Sequence, residues 1–136
     1  MEEEFDVRKK INDLLICILE QVEYELDNNV DKIYFSDILR EEIDNFLTGT
    51  YEYDMLEIIK VLRTYVDDID KGLIEDTSYF ERIIKTTCYW SIYEYLYTFD
   101  IIKYLDDKLN GKILFDDDIK EIKKQIREAK KEIRKS

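Results

Sequence analysis

An all-α fold, a compact bundle of five or six amphipathic helices around one hydrophobic, aromatic-rich helix, is what this 136-residue sequence predicts. Three observations carry the prediction. Apolar residues recur at spacings of three and four through most of the chain, no run sustains a two-residue alternation, and glycines or capping residues separate the periodic runs. At 45% apolar and 40% charged, the chain is too hydrophobic and too aromatic to be disordered. Its length fits a single helical domain over residues 1–136, burying roughly two thirds of the surface the unfolded chain exposes.

The elements follow in order. Val7, Ile11, Leu14, Leu15, Ile18, Leu19, Val22 and Leu26 form one face of a first helix, broken by Asp27-Asn28-Asn29. Ser36 is placed to cap a second helix with Ile38, Leu39, Ile43, Phe46 and Leu47 as its stripe, ending at Gly49. Thr50 is placed to cap a third, which carries Tyr51, Met55, Ile58, Ile59, Leu62, Tyr65, Val66 and Ile69 to Gly72. Ser78 and Glu81 form a capping box ahead of a fourth run. Thirty residues to Asn110 would make an unusually long helix, so a break is expected near Thr98 to Asp100. Asp116 should cap a last helix whose narrow seam is Ile119, Ile122, Ile126, Ala129 and Ile133. The pieces KIYF and KILF could pair as short extended segments but are read as loops. Cys17 and Cys88, each among apolar helical positions, are expected to be small buried hydrophobes.

Charge is uneven. The formal net charge is −12, yet residues 116–136 hold eight bases and six acids, leaving −14 on the rest. From Glu20 to Glu57, twelve carboxylates face only Lys32 and Arg40. Such a field repels phosphate and attracts basic partners. The last helix has acids first and bases last, which complements its dipole, and its seam should pack on the bundle rather than pair with another chain.

Several chemistries are excluded. The chain has no histidine, which removes the usual catalytic triads and imidazole acid–base chemistry, and two separated cysteines cannot assemble a zinc site. No glycine-rich phosphate loop occurs. Asp27, Asn29 and Asp31 imitate a calcium loop until Lys32 and Ile38 occupy its glycine and glutamate positions. Neither a catalytic residue nor a cofactor or metal is therefore expected. The stretch IDNFLTGTYEYDMLEIIKVLR resembles the end of a phage-repressor-type helix-turn-helix, but the helix leading into its glycine turn carries Glu41, Glu42 and Asp44, which phosphates would repel, so nucleic acid is not an expected partner. No segment reaches the ~20 apolar residues of a membrane span, and the start MEEEFDVRKK has no leader pattern, so the expectation is a cytoplasmic protein without a membrane partner. Abundant Ile, Lys, Asp, Tyr and Asn suggest an AT-rich genome.

The stretch CYWSIYEYLYTFD, residues 88–100, has six aromatic residues in its first twelve. On one helix, Ile84, Cys88, Tyr95, Phe99 and Ile102 gather on a core side, and Tyr89, Trp90, Tyr93, Tyr97 and Tyr104 gather opposite. A helix apolar all round is ordinarily the centre of its bundle. Tyrosine in place of leucine points instead to a contact face, because tyrosine and tryptophan supply stiff area with a polar tip. In outline, a hydrophobic helix wrapped by amphipathic ones is similar to Bcl-2-like proteins, which implies a helical modulator of host pathways, with the host-cell cytoplasm as its location if the chain is viral. The residues themselves favour a small acidic protein that binds another protein with a basic surface, as an inhibitor, immunity protein or antitoxin-like anti-defence factor. Tyr89, Trp90, Tyr93 and Tyr97 would make the contact, with Glu52, Asp54, Glu94 and Asp100 as the charged complement. A homodimeric or larger scaffold using the same face is the alternative.

Overall fold

The first apolar stripe becomes α1 (Val7–Asp27) in the computed structural model, which describes residues 6–28, 32–62 and 80–135. All eight residues of the stripe are buried. Asp6 caps the helix, its Oδ1 accepting from the Lys9 N–H at 3.2 Å. Cys17 departs from expectation. It lies outside the stripe and is exposed, whereas Cys88 is buried as expected.

Helix α2 (Phe35–Thr48) has its cap position at Tyr34, two residues before the expected Ser36, and Tyr34 makes no side-chain capping bond among the described residues. A distant segment fixes this start. The Phe35 N–H donates to the Leu109 carbonyl at 2.9 Å, and the Gly111 N–H donates to the Ile33 carbonyl at 3.0 Å. Tyr34 and Asn110 thus form an isolated antiparallel bridge, and no strand occurs among the described residues. KIYF pairs with the residues just before KILF, not with KILF itself. Gly111 makes the turn possible at φ +88°, a left-handed conformation that other residues rarely adopt. Gly49, by contrast, ends α2 at φ −92°, outside the left-handed region.

Thr50 closes α2 rather than capping the next helix. Its hydroxyl donates to the Phe46 carbonyl at 2.7 Å. Helix α3 (Glu52–Leu62) follows and buries Met55, Ile58, Ile59 and Leu62. The continuation expected through Tyr65, Val66, Ile69 and Gly72 lies outside the described residues, as does the Ser78–Glu81 capping box.

Helix α4 (Phe80–Leu96) packs most extensively on α3 and also contacts α2. Its buried face is Ile84, Thr87, Cys88, Ser91, Ile92 and Leu96. The Ser91 hydroxyl is satisfied within the helix, donating to the Thr87 carbonyl at 2.7 Å. The expected break is present. Bonds tighten to a three-residue step, from Thr98 N–H to the Tyr95 carbonyl and from Phe99 N–H to the Leu96 carbonyl, while the Thr98 hydroxyl takes the Tyr95 carbonyl as well. Phe99 is extended, and α5 (Asp100–Lys108) starts afresh with Asp100 in its first turn.

The last helix, α6 (Asp116–Lys135), has Phe115 before its first turn. Asp118, not Asp116, completes the cap, its Oδ2 accepting from the Phe115 N–H at 3.1 Å. The seam packs on the bundle, with Ile122 and Ile126 buried and Ile119, Ala129 and Ile133 partly so. Three ion pairs tie α6 antiparallel to α1: Lys123–Asp27, Lys130–Glu23 at 2.7 Å and Arg134–Glu20 at 3.9 Å. No helix among the described residues is long and apolar enough to cross a membrane.

Candidate functional site

A helical step of four places Tyr89, Tyr93 and Tyr97 in one row, with Trp90 beside its first two rungs. The buried residues on the other side of α4 hold the row in place. Its rings touch in sequence: Tyr89–Trp90 at 5.5 Å and Trp90–Tyr93 at 5.4 Å, both edge to face, then Tyr93–Tyr97 at 4.9 Å. These separations lie in the favourable range for aromatic pairs. The three tyrosines lean partly on the core, whereas Trp90 is 53% exposed. The four expected contact residues therefore form one continuous surface cluster.

The cluster borders a groove of about 560 Å³ between α2 and α4, walled by Arg40, Asp44 and Leu47 on one side and Lys85, Tyr89, Trp90 and Tyr93 on the other. Arg40 pairs with Asp37 at 2.8 Å. Burial, and then the Asp44 carboxylate, push the Tyr89 phenol up, with Arg40 opposing them. Tyr97 is pushed up further by burial, by a hydrogen bond with Tyr93 and by the Asp106 carboxylate. Both phenols stay protonated at neutral pH and present donors as well as ring area.

Tyr104 does not join the row. The break after Leu96 ends the phase of α4, so Tyr104 faces α6, where burial, Glu121 and Asp118 raise it, and Lys108 lies 5.9 Å from its ring centre. On the expected core side, Tyr95 and Phe99 are only partly buried and meet edge to face at 5.4 Å.

Of the acids named from sequence, Asp54 and Asp100 lie in other grooves, while Glu94 stands one turn from Trp90 on α4. Asp54, in the first turn of α3, is buried in a different groove, between α1 and α2. Glu94 is half-buried on α4, and its Oε2 has no hydrogen-bond partner among the described residues. Asp100 is exposed on α5 in a shallow groove with Tyr104 and Glu128. The side chain of Glu52 lies outside the described residues. Asp44, Arg40 and Lys85 line the groove beside the rings, and none of them was expected there from sequence. Lys85 stands one turn before Tyr89 on α4, while the pairing of α2 with α4 brings Asp44 and Arg40, and that pairing leaves no trace in local spacing.

In comparisons with family models, with curated proteins and with solved structures, no match to this chain is found.

Proposed function

We propose that this chain works by binding another protein through the aromatic row of α4, and that its acidic surface draws in a partner with a basic site, in the manner of an inhibitor, immunity protein or antitoxin. The observation that carries the reading is the row itself: four touching rings at the surface, with Trp90 projecting. Rings of this kind bury large area at low entropic cost and dominate interface energetics. The groove beside them offers Asp44, Arg40 and Lys85 as a polar rim that fixes orientation.

The test begins with complexes recovered from the cells that make the protein, followed by a dissociation constant for the purified pair. Trp90→Ala should weaken that pair at least about thirty-fold while leaving the helical circular-dichroism spectrum intact. A complex that survives both Trp90→Ala and Tyr93→Ala places the contact elsewhere. Light scattering on the protein alone separates the scaffold alternative: a dimer that Trp90→Ala dissolves would mean the row is used on itself.

A further inference from the structure

A second groove, formed by α1, the end of α2 and the first turn of α3, encloses about 570 Å³. Three carboxylates line it, Asp13, Glu42 and Asp54, with Phe46 and Tyr51 beside them and Lys10 as the single cation. Asp54 is 6% exposed, and its Oδ1 has no hydrogen-bond partner among the described residues. A buried carboxylate oxygen without a donor is costly, so the groove is incomplete until something supplies one. The ion pairs of the described residues leave all three carboxylates out.

We infer that this groove receives an arginine side chain from the partner protein, with its guanidinium donating to Asp54 and stacking on the neighbouring rings. A planar fork of donors matches a carboxylate, and its face suits Phe46 and Tyr51 better than a compact ammonium would. The surroundings favour positive charge. Burial and then Glu41 raise Glu42, and burial followed by Glu42, Glu20 and Asp13 raises the Cys17 thiol. A metal ion is the poorer fit, because no cluster of three or more His, Cys, Asp or Glu among the described residues could hold one. The inference rests on the reading that the partner is a basic protein, but it makes no use of the α4 rings, which line another groove.

The probe is N-acetyl-arginine amide, titrated into the isotope-labelled protein while the amide signals of Cys17, Asn45 and Gly49 are followed. Saturable shifts at these residues are expected. N-acetyl-citrulline amide, the neutral isostere, should give none, and Asp54→Asn should weaken the arginine probe at least about ten-fold. Cys17→Phe, which fills the groove without changing its carboxylates, should block binding in the same way if Asp54→Asn disturbs the fold. Equal binding of the citrulline probe, or unchanged binding to Asp54→Asn, overturns the inference. Agmatine binding more tightly than the blocked arginine would hand the site to a free small cation and overturn the partner assignment. Trp90→Ala should bind the arginine probe like wild type. A probe that fails while Trp90→Ala still dissolves the complex removes the arginine site and leaves the aromatic reading standing. An Asp54-dependent probe alongside complexes indifferent to Trp90→Ala does the reverse.

Discussion

Glu41 acts on two neighbours at once. Burial is the main cause that raises Glu25 on α1 and Glu42 on α2, and the Glu41 carboxylate adds to both. Each therefore binds its proton more tightly in the folded chain than in the unfolded one. The resulting penalty grows as pH rises from the ordinary carboxylate range through the raised folded values, and it is complete above them. Glu41→Gln should raise the melting temperature by about 1–3 °C at pH 7 and give no gain near pH 3. A gain of the same size at both pH values would assign it to helix propensity rather than charge. Cys17 was also open to a closer sequence reading. A step of 100° per residue puts it roughly 60° beyond the edge of the α1 stripe at Leu14, so apolar neighbours in sequence were a poor guide to its burial.

At the scale of the elements, stripes were legible and ends were not. Spacings of three and four located the described helices, because a buried face must repeat with the helical period, whereas the break after Leu96 was legible from the length of the run. Caps depend on which backbone donors other parts of the chain have already satisfied. Ser36 has the right chemistry, yet the Leu109 carbonyl takes the Phe35 N–H and moves the cap two residues earlier, to Tyr34. Gly111 is the weak point of that arrangement. Gly111→Ala would force a left-handed conformation on alanine and press its Cβ against the Tyr34 ring, 2.8 Å from Cζ. Because that ring is exposed and free to swing, the backbone conformation should dominate the loss, about 1–2 kcal/mol in urea unfolding. No loss would show that the turn relaxes to another conformation. The aromatic row was legible for the same reason as the stripes, since one helix carries all of it. The arginine groove was not, because Asp13, Glu42 and Asp54 come from three helices.

Across the whole molecule, the basic last helix answers part of the acidic surplus. Glu20, Glu23 and Asp27 of α1 are taken up by Arg134, Lys130 and Lys123, while the acids of the second groove have no such pairing among the described residues. The pairs differ in weight. Lys130 and Glu23 are only 18% and 29% exposed, so Lys130→Met should cost about 1–2 kcal/mol, whereas Arg134→Met, at an exposed and long pair, should cost less than about 0.5 kcal/mol. Equal losses in urea titrations would mean that burial does not distinguish them.

The Lys130–Glu23 bond joins residues 107 positions apart. Contacts of such separation form late, because the loop they close is long. During synthesis, α1 leaves the ribosome well before α6, and the side of α1 that α6 covers stays open in the interval. The nascent chain therefore carries a partly uncovered helix while the segments between them are made, and closure of that face waits on α6.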